Sequence, residues 1–202
     1  MPMSSSFDPQ PVTLDGEHVR LEPLAPGHAA DLFVAGADPL VWRYLPIPPP
    51  SSIDEIESWI AEAIARGETV GDIPFAIIDR ASGRAAGSTR YLDIRRSDRA
   101  LEIGWSWVGA AYQRTAINTE CKYLLLAHAF DRLGAIRVQF KANARNERSL
   151  RAIERIGGIR EGVLRKQRIQ HDGYIRDAVY YSIIDDEWPE VKLRLEDRLK
   201  RR

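Results

Sequence analysis

The stretch from Val108 to Phe130 (VGAAYQRTAINTECKYLLLAHAF) holds the residues best placed to bind an anion. A polar loop, Gln113-Arg114-Thr115-Ala116-Ile117-Asn118, leaves a strand ending in Trp105-Ser106-Trp107-Val108 and enters a helix. Asn118 and Thr119 are N-cap residue types, and Glu120 puts an acid in the first turn. A loop feeding a helix N-terminus aims several backbone N–H groups at one place, beside the positive end of the helix dipole. Phosphate is the usual occupant of such a place. The same residues also read as an ordinary capped helix after a turn.

Other chemistries find little support. Gly157 and Gly162 have the spacing of a phosphate loop, but Val163-Leu164 follow in place of Lys and Ser/Thr. The four histidines (18, 28, 128, 171) lie far apart, without metal-ligand spacing. No Gly-x-Ser-x-Gly elbow occurs. A single cysteine, Cys121, excludes an internal disulfide and fits a reducing compartment. With no apolar run of spanning length and no basic-then-apolar leader pattern, a cytoplasmic protein is expected. The 29 basic and 29 acidic residues balance, which speaks against a nucleic-acid or membrane-surface protein. Arg outnumbers Lys 24 to 5; guanidinium forks suit phosphates and carboxylates, and a compositional bias gives the same ratio.

The elements that must position these residues follow from periodicity. In the helix after the loop, Tyr123, Leu124, Ala127 and Phe130 recur at helical spacing, and Leu133-Gly134 ends it. Strands are predicted at 18–24, 74–79, 85–92, 100–108, 136–141, 163–170 and 175–184, the last two joined by a turn at Asp172-Gly173. Helices are predicted at 26–37, 53–66, 118–133 and 146–156, with an amphipathic tail over 187–202. Pro46, Pro48, Pro49 and Pro50 make an extended surface loop. Residues 1–12 read as a loosely held arm. The 202 residues form one α+β domain, a mixed and mainly antiparallel sheet of about seven strands flanked by about four helices.

Four stretches in this order and spacing resemble the Gcn5-related N-acetyltransferase (GNAT) superfamily: Leu101-Glu102-Ile103-Gly104-Trp105, Gln113 to Glu120, Asn146-Glu147-Arg148-Ser149, and Glu161-Gly162-Val163-Leu164-Arg165. Asp172-Gly173, Arg176-Asp177 and Glu187-Trp188-Pro189 are similar to its RimJ/RimL-like branch of ribosomal-protein N-acetyltransferases. The resemblance implies that residues 113–119 (Gln113, Arg114, Thr115, Ala116, Ile117, Asn118, Thr119) wrap the pyrophosphate of acetyl-CoA. Ala116 and Asn118 stand where the family prefers Gly and a small residue. It further implies a V-shaped split between strands 101–108 and 135–141, with the pantetheine paired to backbone near Trp107 and Val108 and contacted by Asn146. Trp105 and Trp107 also read as one packed strand face, and Asn-x-x-Ser also reads as a plain helix start.

The implied reaction is direct acetyl transfer from thioester to primary amine in a ternary complex. An α-amine (pKa about 7.7–8.0) needs a weaker base than a Lys amine (about 10.4). Glu102 is the candidate base, with Glu161 and Asp93 as alternates; each also reads as a structural carboxylate. Many family members carry an acidic Tyr where this chain has Ile153, and Ser149 would supply a hydrogen bond to sulfur instead. Arg145, Arg148 and Arg151 suit the 3′-phosphate, although Glu147 and Arg151 also read as a helix ion pair. Loops 38–50 and 91–99, with Trp42, Tyr44 and Tyr91, would line the acceptor side, whether for a peptide N-terminus or a small amine. Homodimers are common in the branch, and the hairpin and tail would serve as the interface. A coenzyme-A-binding sensor of the same fold, without turnover, is the alternative.

Overall fold

The computed structural model describes residues 7–201. Along the chain run β1 (Leu14–Asp15), β2 (Val19–Pro23), α1 (Ala29–Ala35), α2 (Ile53–Val70), β3 (Ile73–Asp79), β4 (Ala85–Arg95), β5 (Ala100–Val108), α3 (Ile117–Ala127), β6 (Arg137–Asn143), α4 (Glu147–Arg155), β7 (Ile159–Ile169), β8 (Ile175–Ile184) and α5 (Trp188–Lys200). The strands form one sheet in the order β1-β2-β3-β4-β5-β6-β8-β7. Every pairing is antiparallel except β5 with β6. A parallel pair needs a crossover, and α3 supplies it.

The two faces are covered differently. α1 and α2 bury Leu32, Ile56 and Ile60 against Ala76, Ile78 and Trp107 on one face. There Trp42 lies 4.8 Å from Trp107 between ring centroids, and Trp59 meets both edge-on. Such aromatic pairs add roughly 0.5–1.5 kcal/mol each beyond burial. α3, α4 and α5 cover the other face over Leu101, Ile103, Val138, Phe140, Val179 and Ile183. Beneath α1 and α2 the N-terminal half of the sheet is therefore sandwiched. On that same face of the C-terminal half, Gln139 and Lys141 of β6 are half-buried and the residues of β7 are largely exposed.

Several expectations need correction. Trp42 and Tyr91 do not line an acceptor surface: both are fully buried, and the Tyr91 hydroxyl donates to the Leu125 carbonyl at 2.6 Å. Helix α2 does not stop at Gly67 but runs to Val70, ending on Gly71 at φ 79°. Gly67 lies inside it, where the lack of a side chain leaves room for the Asp72 carbonyl, 3.0 Å from where a Cβ would be. Of the expected N-terminal arm, residues 1–6 lie outside the described residues, while 7–12 are pinned. Phe7 is buried in the main core and Asp8 pairs with Arg96 at 2.8 Å.

Candidate active site

β5 and β6 pair only at Ala100–Arg137, Leu101–Val138 and Glu102–Gln139. Past that last rung they share none, so Ile103–Val108 and Phe140–Asn143 face each other across a gap inside the sheet. The cause is local to β5. Between Arg90–Gly104 and Ser88–Trp107 the β5 strand carries one residue more than β4, with Trp105 at φ 50°. This β-bulge bends the strand away from its neighbour. Gly87 permits the accompanying close approach, since a Cβ there would fall 2.1 Å from the Trp107 carbonyl oxygen. On the α1–α2 face, buried Arg90 lies 4.5 Å from the Trp105 ring centroid and 3.5 Å from the Asp72 carboxylate, holding the bulged residue in place.

The loop after β5 forms a 3₁₀ turn at Ala110–Tyr112 and enters α3 at Ile117. Neither Asn118 nor Thr119 is the N-cap. Ala116 takes that position without a side-chain bond, and Thr115 Oγ1 instead accepts from the Ile117 N–H at 3.3 Å while donating to the Tyr112 carbonyl. Ala116 is right-handed at φ −66°, so its methyl strains nothing; the left-handed residue is Arg114 at φ 62°. Asn118 and Thr119 thus occupy the first helical turn, where N–H groups have no intrahelical acceptor. Thr119 Oγ1 is buried there without a partner. Glu120 does not serve the cradle either. Its buried carboxylate turns back to accept from the N–H groups of Glu17, His18 and Val19 at 2.7–2.9 Å, tying α3 to β2 and fixing where the helix N-terminus points.

Gln113 spans the mouth of the gap: its Nε2 donates to the Val108 carbonyl at 3.1 Å and its Oε1 accepts from Arg148 Nη1 at 2.7 Å. On the opposite wall, Asn146 caps α4 by accepting from the Ser149 N–H at 3.1 Å. Buried Asn143, at the end of β6, accepts from the Arg145 N–H while its Nδ2 has no partner. Arg145, Asn146 and Arg148 line a shallow cavity of about 290 Å³ with Arg43 and Tyr44. Arg151 stays apart in an exposed pair with Glu147 at 3.2 Å, as the helix spacing allowed. Trp107 contributes backbone to the gap, while its ring belongs to the tryptophan cluster.

Glu102 sits at the apex of the split, only 1% exposed. Its Oε2 accepts from Gln139 Nε2 at 2.9 Å and pairs with Lys141 Nζ at 3.1 Å. Its Oε1 leans over Gly104, 3.0 Å from where a Cβ would be, so the carboxylate overhangs the first unpaired residues of β5. The alternates are placed less well. Glu161 is bonded to Arg137 and Ser182; the Arg137 hydrogen bonds, against the effect of burial, hold its carboxyl down to about 2, which makes it a feeble base. Asp93 lies on β4 past the Leu92–Glu102 rung, half-exposed beside Arg95. Missed by the sequence reading was Lys122, buried and bonded to Ser106 and Thr89. Its one signal was the spacing of four from Asn118, which puts both on one helix face.

An interior gap lined by unpaired strand backbone, opening onto a helix N-terminus, suits an extended amide-bearing chain ending in phosphates. The orphaned Thr119 Oγ1 and Asn143 Nδ2 offer such a ligand further partners. Residues 18–159 match the family model "Acetyltransferase (GNAT) domain". The chain belongs to this family of acyl-transferring enzymes. A Bacillus subtilis (strain 168) protein, "Putative ribosomal N-acetyltransferase YdaF", is 32% identical over 106 residues, 52% of this chain and little more than half (57%) of that protein. A GCN5-related N-acetyltransferase from Brucella melitensis is 32% identical with TM-score 0.89, over 95% of this chain and 86% of its own. A "putative acetyltransferase" from T. thermophilus is 40% identical with TM-score 0.86, over 95% of this chain and 98% of its own. Among the described residues no helix is long and apolar enough to cross a membrane.

Proposed function

We propose that this enzyme transfers an acetyl group from acetyl-CoA to a primary amine, foremost the α-amine of a peptide N-terminus. The observation that carries the proposal is the end of β5–β6 pairing at Glu102–Gln139, directly beneath a buried carboxylate. When bound, acetyl-CoA supplies a thioester carbonyl carbon open to attack by an amine. The N–H groups of Ala116, Asn118 and Thr119, with Gln113, Arg114, Thr115 and the Ile117 backbone, would receive the pyrophosphate, and Arg145 and Arg148 the remaining phosphate. The backbone of Trp107 and Val108, with Asn146, would hold the amide-bearing arm in the gap.

Glu102 takes the proton from the incoming amine at its Oε1, the oxygen that overhangs Gly104. Lys141 and Gln139 hold the carboxylate in that orientation through Oε2. An α-amine suits this arrangement, because a carboxylate is a modest base and the α-amine is already partly neutral near pH 7.5. Backbone N–H groups of the bulged strand stabilise negative charge at the carbonyl oxygen. Tyr44, bonded to the Arg145 carbonyl at 3.1 Å, and Tyr174, whose ring centroid lies 4.4 Å from the Arg145 guanidinium, border the acceptor side. Ser149, in the first turn of α4, would offer its hydroxyl to the sulfur. Association of two copies through β7 belongs to the same reading; Ile159, Leu164 and Ile169 are exposed along that edge.

Calorimetric titration with acetyl-CoA, followed by free-thiol release with a panel of peptides and small amines, tests the proposal. Saturable binding with amine-dependent thiol release is expected, fastest with peptide α-amines. Binding without release from any amine would favour a non-catalytic acyl-CoA sensor, and absence of binding would refute both.

A further inference from the structure

Lys122 is a buried cation with unusual company. Among the described residues its Nζ forms no ion pair; its partners are Ser106 Oγ at 2.6 Å and Thr89 Oγ1 at 3.2 Å. The two hydroxyls lie 2.7 Å apart, and Ser106 Oγ reaches the Gly104 carbonyl at only 3.4 Å. An unpaired buried ammonium is costly by several kcal/mol, so purely structural use is a poor explanation.

Among the described residues the surroundings offer it no counter-charge. On its own helix, the Glu120 carboxylate is turned away to the amides of Glu17, His18 and Val19, and the Cys121 thiol is buried. From β4 it meets Thr89, while the Tyr91 phenol is bound to the Leu125 carbonyl. Arg90 and Glu102, on the same two strands, are engaged on the opposite face with Asp72 and with Gln139 and Lys141. Burial pushes the Lys122 ammonium to titrate below its ordinary value, with Cys121 opposing.

The position is equally specific. Ser106 follows the bulged Trp105, past the last β5–β6 rung, and is exposed while Ile103 and Val108 on the same face are buried. It therefore presents a hydroxyl to the gap from the β5 wall, two residues from Val108 and two from Gly104. An arm extended along β5 from the α3 N-terminus toward Glu102 has to pass it. Lys122 donates to the Ser106 oxygen, so the Ser106 proton is left to turn among Thr89 Oγ1 at 2.7 Å, the Gly104 carbonyl at 3.4 Å and an acceptor in the gap.

We propose that Ser106 is the acid that protonates the leaving sulfur, and that Lys122, through Ser106, is the positioning residue that supplies the proton. The inference rests on the acetyl-CoA reading above. As the new C–N bond forms and the thioester C–S bond breaks, the C–S electron pair goes to sulfur. Ser106 Oγ–H passes its proton to that sulfur, and Lys122 Nζ–H replaces it on Ser106. The amine proton goes to Glu102; water then restores the proton to Lys122 and removes the one on Glu102. Thr89 fixes the Ser106 rotamer. This relay fills the place left by Ile153, where no acid is present. Burial lowers the Lys122 ammonium, which makes it a readier proton donor than an exposed lysine.

The test reads the thiol of bound coenzyme A, independently of turnover. Thiolate absorbance of the stoichiometric complex is titrated against pH, as a difference from the protein alone, for wild type, Ser106→Ala, Lys122→Met and Thr69→Ala. The bound thiol is expected to ionise about one pH unit lower in wild type than in Lys122→Met, with Ser106→Ala shifted in the same direction and Thr69→Ala, at an exposed position on α2, unchanged. Thiol release at saturating acetyl-CoA should fall at least tenfold in both Ser106→Ala and Lys122→Met, losing its alkaline limb in the latter, with coenzyme A affinity within threefold. Identical thiol titrations in wild type and Ser106→Ala would overturn the relay, even if Lys122→Met fails to fold. Failure of wild type to bind coenzyme A would instead defeat the acetyl-CoA reading itself.

Discussion

On the β5 wall of the split, the backbone is bulged at Trp105, a lysine is buried beneath an exposed serine, and a glycine at 87 makes room for the distortion. On the β6 wall the strand is regular along its full pairing with β8, and its polar groups come from the start of an ordinarily capped helix. One wall stores irregularity and buried charge; the other is plain secondary structure ending at Asn143 and Asn146. The contrast teaches that a sheet can be opened from one side alone. β6 needs no distortion, because β5 turns away from it. Groups that act on reacting atoms are accordingly expected on or beside β5, and groups that merely hold a ligand on β6 and α4.

The sharpest way to break this contrast is Glu102→Gln, which removes the base at the apex and leaves the carboxamide isostere. Amine-dependent thiol release should fall about 100-fold or more, equivalent to about 2.7 kcal/mol, with coenzyme A affinity unchanged by calorimetry. A fall below threefold would place the base elsewhere. Next, Gly87→Ala puts a methyl against the Trp107 carbonyl; urea unfolding should show about 2 kcal/mol of destabilisation, together with weaker coenzyme A binding. On the β6 side, Asn146→Ala should lower stability by about 1 kcal/mol through loss of the α4 cap, and its effect on turnover should come through affinity rather than the maximal rate.

The smallest effect is expected far from the gap, at the Arg137–Glu161 pair. The folded carboxyl is depressed to about 2 from 4.5, so its contribution is fully present above about pH 4.5 and is lost as pH falls toward 2. Solvent screens this partly exposed pair, so Glu161→Gln should cost less than about 1 kcal/mol at pH 6. The difference from wild type in urea midpoint should shrink steadily between pH 4.5 and pH 2.

What the sequence made legible was whatever depends on neighbours in the chain. The strand at 100–108, the Asn146 cap and the Asp172-Gly173 turn, with Gly173 at φ 81°, all follow from local periodicity or local hydrogen bonding. The start of α3 was displaced by one residue because Thr115, outside the helix, supplies the bond expected of Asn118. Ala116 can stand where the family prefers Gly because the left-handed residue of that loop is Arg114. Features set by contacts across the fold were illegible. The bulge at Trp105 exists only relative to β4, the burial of Trp42 depends on Trp59 and Trp107, and Phe7 reaches the core from the end of a polar segment. Lys122 is the clearest case, since nothing within four residues announces that Thr89 and Ser106 will close around it.

Backbone hydrogen exchange with and without acetyl-CoA tests the central claim most directly. Slowed exchange is predicted at Ile103–Val108 and at residues 114–119, with β1 to β3 unchanged. Saturating acetyl-CoA that leaves both segments exchanging as in the free protein would contradict the picture of a thioester arm lying in the split.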